Sequence, residues 1–458
     1  MSERTVLAEP AAENAAATEE TRESARSRGL AAGPVTYEVR EAVPADGTSA
    51  QAEATAERTP DEGKAAPRGT GSQDSLHFPV EAMVGSCGDL ARVLTAGTEV
   101  PPEFVFAAAL TLLGSLACDR GLELEIGIRV EPRLYTVLLG ESGDVKKSTA
   151  IKRTVEFFKS LRNPRGGPLR ELNGVASAEG LARELGDFAN TVVVYDEFRA
   201  FLDKCKIQGS ALLSAVASLF EGGDWDNATK SARHSVHIRN SKLSLLAACT
   251  TQTWQGVWGR DAIAIGLPNR LFVVYAEARP RVAWPNPANS DSMGQLAQRI
   301  ERQLAALPLR LKITDDAKRG WEDWYLSRPT SEHVKRLDTI GFRLMALLAL
   351  SMDKNEVDND VVRVAVQILD YELRVRMYHD PIDADSVVAK MEEKIRRAVA
   401  NKGKLAKREL RRLISADRDG IWAFDRALEN LQRCGDVHLE GNLVLRASAE
   451  LSAGPKSA

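Results

Sequence analysis

The 458-residue chain carries 61 Lys and Arg against 64 Asp and Glu, a formal net charge of −3, and 44% of it is hydrophobic. That length supports two or three domains and a sizeable core, and the near-neutral balance excludes a uniformly basic nucleic-acid coat. Five scattered cysteines without C-x-x-C spacing exclude a disulfide framework and a zinc site; they fit free, mostly buried thiols in a reducing cytoplasm.

Residues 1–75 hold 8 basic against 14 acidic side chains, a net of −6, so the rest of the chain carries +3. They are rich in Ala, Glu, Thr, Ser, Gly and Pro and poor in aromatics, a composition that predicts a disordered acidic tail. The start of the chain lacks the basic-then-apolar pattern of a secretory signal. From Val80 the pattern turns helical, with Pro101-Pro102 opening a helix through Cys118. Its apolar run falls about three residues short of a membrane span, so a buried helix and a soluble protein are expected. The alternating GLELEIGI (121–128) predicts a strand.

Residues 134–158, LYTVLLGESGDVKKSTAIKRTVEFF, run from an apolar strand through a Gly-containing turn into a helix. This is the order of a phosphate-binding loop, in which backbone N–H groups and a helix N-terminus face phosphates, a lysine adds charge and a hydroxyl holds Mg²⁺. The spacing departs from G-x-x-x-x-G-K-[ST]. Taking Lys147 as the phosphate lysine makes Ser148 the metal ligand and puts Lys146 where the second glycine belongs. Taking Lys146 aligns Gly140 and Gly143 but costs the hydroxyl, so Lys147–Ser148 is the preferred reading. Gly140, Ser142, Gly143, Lys146, Lys147, Ser148 and Thr149 form the candidate nucleotide loop.

NPRGG (163–167) reads as a loop and Ser177–Leu185 as a Ser-capped helix. TVVVYDE (191–197) follows about fifty residues after Lys147, a buried strand delivering two carboxylates at its C-terminal end. Asp196 is the candidate Mg²⁺ ligand and Glu197 the residue that orients or deprotonates the attacking water. ALLSAVASLFEGG (211–223) reads as an amphipathic helix. The stretch after it, 225–242, is polar and basic with partial alternation, and predicts a hairpin carrying Lys230, Arg233, His234 and Arg239. LSLLAACTT (243–251) is another buried strand with a polar end, offering Thr250 or Thr251 near a γ-phosphate. Arg270 directly precedes the strand LFVVYAE and is the candidate for stabilising transferred phosphoryl charge, with Arg260 the competitor.

A Pro/Asn-rich connection leads into helical periodicity from Val334 to Tyr378, read as a bundle containing Arg343. After 379–381, three helical segments (387–400, 405–414 and 420–435) and a hairpin turning at Gly441-Asn442 predict a winged helix-turn-helix. Residues 384–447 carry a net +4, although the presumed recognition helix offers only Arg426 and Arg433 as basic groups for DNA. The expected organisation is a tail (1–75), an ATPase core (76–283), a helical domain (284–380), a winged helix (384–447) and a short disordered tail (448–458).

With these pieces placed, the chain from about Val80 to Arg446 resembles the P-loop ATPases of phages, plasmids and mobile elements that are often linked to primases, themselves similar to superfamily-three-type hexameric helicases. The resemblance rests on LYTVLLGESGDVKKSTA, VVVYDE, LFEGGDWDNATKS, KLSLLAACTT, GLPNRLFVV, RLMALLALS and the terminal winged helix. It implies an α/β fold with a RecA/AAA+-like parallel sheet, ATP and Mg²⁺ as cofactors, and a homo-oligomeric ring. In that ring Arg270 serves the neighbouring subunit's site, while Lys230 and its neighbours grip single-stranded DNA. It further implies a cytoplasmic DNA helicase or translocase in replication, with a primase or other replication protein as partner. The alternative is a non-motor DNA-binding initiator or adaptor that binds nucleotide and holds duplex DNA through its winged helix.

Overall fold

A computed structural model describes residues 76–446 apart from 164–166, 188–189, 228–235, 259, 330 and 380–386. The segments 1–75 and 448–458 thus lie outside the described residues, as do Lys230, Arg233 and His234.

Two helices lead in, α1 (Gly85–Thr95) and α2 (Pro102–Asp119). Pro102 opens α2 at a position where its missing N–H costs no hydrogen bond. Among the described residues α2 is the one helix long and apolar enough to cross a bilayer, but 83% of that stretch is buried within the protein. It lies across the sheet as a core helix, against β-strands introduced next, and Thr111 Oγ1 meets Thr136 Oγ1 at 2.7 Å. The expected strand at 121–128 is shorter, β1 (Glu123–Glu125), and folds back on β2 (Arg129–Val130).

The central layer follows as β3 (Tyr135–Gly140), α3 (Lys147–Ser160), β4 (Glu171–Asn173), α4 (Ala178–Asp187), β5 (Asn190–Tyr195), α5 (Phe198–Cys205) and α6 (Leu212–Glu221). A small hairpin, β6 (Trp225–Asn227) and β7 (Val236–Ile238), precedes β8 (Lys242–Thr250), α7 (Thr251–Val257), α8 (Arg260–Ala264) and β9 (Phe272–Tyr275). Five strands pair in the order β4-β5-β8-β3-β9, all parallel. The inner strands β3, β5 and β8 are almost wholly buried, which is why they read as continuous apolar runs rather than alternating ones. Because the sheet is parallel, β3, β5 and β8 all deliver their C-terminal residues to the same edge. That edge is where α/β proteins bind ligands.

The chain continues through α9 (Ser290–Ala306), β10 (Arg310–Ile313), α10 (Asp315–Ser327), α11 (Leu337–Ser351), β11 (Glu356–Val357) and α12 (Asn359–Tyr378). The helical expectation for this region misses β10 and β11, which extend β1 and β2 into a second sheet, β11-β10-β1-β2. Leu-Arg-Leu-Lys-Ile (309–313) carries the alternation that marks such a strand. One continuous hydrophobic core runs from Phe78 to Val375 and includes both sheets. Strand β9 is an edge strand, and α12 covers it. Tyr371 Oη accepts from Tyr275 N and donates to Tyr275 O, both at 2.7 Å, while the Glu372 carboxylate accepts from Val273 N.

Glu372 is fully buried and paired with Arg376 at 2.9 Å, whose guanidinium also donates to Asn269 O and Leu271 O. Removing the carboxylate leaves a buried guanidinium without its counter-charge, so Glu372→Ala should cost about 3–5 kcal/mol in urea unfolding. An unchanged midpoint would show that the pair contributes nothing.

The C-terminal residues form α13 (Val387–Lys402), β12 (Lys404–Ala406), α14 (Lys407–Leu413), α15 (Ala416–Asp419), α16 (Ile421–Arg433), β13 (Val437–Glu440) and β14 (Leu443–Arg446). They bury a core of their own around Met391, Ile395, Leu410, Phe424, Leu428 and Val444. The hairpin β13–β14 turns at Gly441-Asn442, and β12 adds a third strand that the sequence reading merged into its helix.

Candidate functional site

The loop between β3 and α3 is built by two different constraints on glycine. Gly140 is needed for space, since a Cβ there would meet Ala276 O at 2.9 Å and the Val145 side chain at 3.1 Å. Gly143 is needed for its backbone, at φ +79°. Lys146 occupies the N-cap of α3 at φ 36°, ψ 35°, the left-handed conformation usually left to glycine. No side chain caps the start of α3, so its first N–H groups remain available to an anion.

The two lysines have separate environments. Lys147 is buried, and its Nζ donates to Gly140 O at 2.9 Å and Glu141 O at 2.7 Å, folding the ammonium over the loop. Burial draws its pKa down, opposed by Glu197, Cys249 and Glu141. Lys146 points outward to Glu99 at 3.2 Å, with its side chain 39% exposed. Lys146 Nζ also lies 3.4 Å from Gly143 O, so of the two ammonium groups Lys147 is the one buried over Gly140 and Glu141 and Lys146 the one at the rim of the loop. Since Lys146 holds a left-handed conformation, Lys146→Gly should raise stability by up to about 1 kcal/mol, the avoided strain outweighing the entropy of glycine. A lower thermal midpoint for that variant would count against the strained reading.

The acidic pair arrives from β5, two strands away from β3 with β8 between them. Asp196 shares a cavity of about 710 Å³ with Ser148, Thr149, Lys152 and Asn173. Glu197 turns inward instead, close enough to Lys147 and Cys249 for both to feel its charge. The Cys249 thiol donates to Thr250 O at 3.5 Å, and burial pushes that thiol well up, with the nearby Glu197 charge acting in the same direction. Glu197 Oε1 is buried with no hydrogen-bond partner among the described residues. A buried carboxylate oxygen left unpaired is costly unless something else supplies a donor.

Strand β8 brings the polar end that the sequence suggested, with the roles of its two threonines now separate. Thr250 caps α7, accepting from Thr253 N at 3.0 Å and donating to Thr253 Oγ1 at 2.8 Å. Thr251, not Thr250, reaches the loop, donating to Glu141 Oε1. Cys249 is the residue the sequence reading passed over; it gives no local signal beyond its place in a buried run.

Arg270 is not brought to this loop. It stands before β9, whose Phe272 pairs with Thr136, so it lies at the end of the sheet opposite Gly140. The residue is 7% exposed, and its guanidinium donates to Ile265 O at 2.6 Å and Gly266 O at 3.1 Å and faces Glu221 at 3.3 Å. Burial lowers its pKa. Arg343 lies at that same far end, donating to Arg133 O and Phe220 O, with burial and Arg133 drawing its pKa down to about 9. Arg260 begins α8, and its side chain lies outside the described residues.

The predicted basic hairpin has its base in place. Trp225 pairs with Ile238 and Asn227 with Val236, while Asp226 holds Arg239 and His237 at 2.7 Å each. Arg426 and Arg433 both lie on α16, where Arg426 pairs with Glu429 at 3.3 Å.

The residues present fit a nucleotide-borne Mg²⁺. Ser148 and Asp196 offer one hydroxyl and one carboxylate on a shared cavity, and Mg²⁺ commonly takes one or two protein ligands while keeping water and phosphate oxygens. Among the described residues no three His, Cys, Asp or Glu side chains converge into a dedicated metal cage. In comparison with known proteins, the chain matches no protein-family model and no curated sequence. What stands without them is an α/β protein on a parallel sheet, with a lysine-bearing loop and an acidic pair at one sheet edge.

Proposed function

We propose that the chain is a Mg²⁺-dependent ATPase that acts on DNA as a ring-forming helicase or translocase. The observation that carries this is the placing of Lys147 and Glu197 at the C-terminal edge of the sheet, within electrostatic range of each other, with Glu197 Oε1 buried and without a hydrogen-bond partner among the described residues. The strand order and the position of the loop are compatible with a RecA/AAA+-like P-loop core. Helices α13, α14 and α16 and the terminal hairpin of residues 387–446 are read as a winged helix, with the short α15 between its second and third helices.

In this reading the N–H groups at the start of α3 and the Lys147 ammonium hold the β- and γ-phosphates. Nucleotide binding draws Nζ away from Gly140 O and Glu141 O, so the lysine exchanges carbonyl partners for phosphate. Ser148 and Asp196 hold the Mg²⁺, which supplies charge neutralisation on the phosphates. Glu197 accepts a hydrogen bond from the attacking water and orients it, filling the valence that Oε1 leaves open. Thr251, through Glu141, fixes the loop. The hairpin β6–β7 is closed at its base by Ser241 N donating to Gly223 O at 2.8 Å and Asn240 N donating to Asp224 Oδ1 at 2.7 Å, directly before β8 begins at Lys242.

Steady-state ATP hydrolysis with and without single-stranded DNA tests the reading. DNA-stimulated turnover is expected. Absence of hydrolysis with every DNA tried would sink the motor and leave the non-motor initiator.

A further inference from the structure

The C-terminal body carries a basic groove on α14, the helix whose Lys407 pairs with Asp425 of α16. Of residues 402–412, six are Lys or Arg and only Glu409 is acidic. Helix α14 buries Leu410 and sets Lys407 with Arg411, and Arg408 with Arg412, in two adjacent i,i+4 rows. These four side chains, Ala406, Glu409, Asp417 and the turn residue Asn442 line a groove of about 890 Å³, four cations against two carboxylates. The hairpin turn is fixed against the helix, because Lys407 N donates to Asn442 O at 2.7 Å. Lys407 and Arg411 are held in place by Asp425 at 3.0 Å and Asp417 at 2.7 Å. Arg408 and Arg412 are exposed and make no ion pair among the described residues.

The α16 face is different in kind. Arg426 is engaged by Glu429, Asp425 is taken by Lys407, and the exposed residues at the start of the helix are Ile421 and Trp422, the latter 64% exposed. Charges there nearly cancel. Affinity for a nucleic acid comes chiefly from unneutralised cations that displace counterions, and α16 offers few.

We infer that the groove between α14 and the β13–β14 turn binds the sugar-phosphate backbone of a nucleic acid, with Arg408 and Arg412 as its free phosphate ligands. Guanidinium forks suit phosphate oxygens, and the groove has no large apolar side chain that would seat a lipid surface or a peptide. This rests on the reading of the chain as a DNA-acting protein only for the choice of nucleic acid among polyanions. It locates backbone contacts; it assigns no base reading.

The test is fluorescence anisotropy of the full chain with a labelled duplex and a labelled single strand, each across a salt series. Wild type, Arg408→Glu/Arg412→Glu and Arg426→Ala/Arg433→Ala are compared, with thermal unfolding to show that each folds. The charge reversal should weaken binding about tenfold or more and flatten the log–log salt slope by about 1.8 for duplex or 1.4 for a single strand. Which slope change is seen identifies the strand form. Wild-type binding by that variant, or loss confined to the α16 variant, overturns the proposal. So does equal affinity for polyglutamate. ATP turnover without DNA should survive the charge reversal; if no variant hydrolyses ATP but the groove still binds, the ATPase reading fails and this one stands.

Discussion

Lys147→Ala is expected to lower ATP turnover by about 10²–10³-fold, the usual cost of removing a preorganised electrostatic stabiliser, while Lys146→Gly lowers it far less. The expectation follows from where the two ammonium groups lie. Lys147 Nζ is held over the loop by two carbonyl oxygens, and burial strengthens its interaction with any phosphate that displaces them. Lys146 is committed to Glu99 on the outside, and its left-handed backbone does the work of the glycine it replaces. Nucleotide affinity should move with turnover for Lys147→Ala, measured by titration with a fluorescent ATP analogue. The reverse pattern, with Lys146→Gly inactive and Lys147→Ala active, would transfer the phosphate role to Lys146.

That ambiguity shows where sequence stops being sufficient. Both lysines sit at the same helix start, and no local pattern says which one turns inward. What turns Lys146 outward is its backbone angle and its pairing with Glu99, 47 positions earlier. The strand ending in Asp196-Glu197 was legible because a fully buried parallel strand has to be a continuous apolar run. The helices of residues 387–446 and their hairpin were legible from periodicity and the Gly441-Asn442 turn. Strands β11 and β12 were not, since two or three residues carry too little alternation to separate them from adjoining helices; β10 does alternate, but the strongly helical periodicity around it absorbed the signal. Arg270 illustrates another limit. An arginine before an apolar strand reads the same whether exposed or buried, and the packing that buries Arg270 against the carbonyls of Ile265 and Gly266 leaves no mark on the local pattern. Cys249 was hidden for a related reason: a thiol in a buried run is ordinary, and only the approach of β5 puts it beside Glu197.

The second large effect is expected at Glu197. Glu197→Gln should lower the hydrolytic rate by about 10²–10⁴-fold, the range for a positioned general base, while leaving ATP affinity near wild type. The substitution keeps the side chain's size and its contact with Cys249 but replaces one acceptor oxygen by an amide and removes the charge that faces Lys147. Binding should hold because the proposed phosphate contacts are those of Lys147 and the start of α3, not of Glu197. Single-turnover hydrolysis separates the two effects, since it reads the chemical step with nucleotide already bound. Cys249→Ala is the internal comparison. It removes the thiol beside the carboxylate without touching the carboxylate, so a change of only a few-fold identifies Cys249 as a positioning residue. If Glu197→Gln turned over ATP at the wild-type rate, water activation would have to come from elsewhere. Asp196, already on the cavity with Ser148, would then be the next carboxylate to replace, and its loss should weaken Mg²⁺ dependence as well as rate.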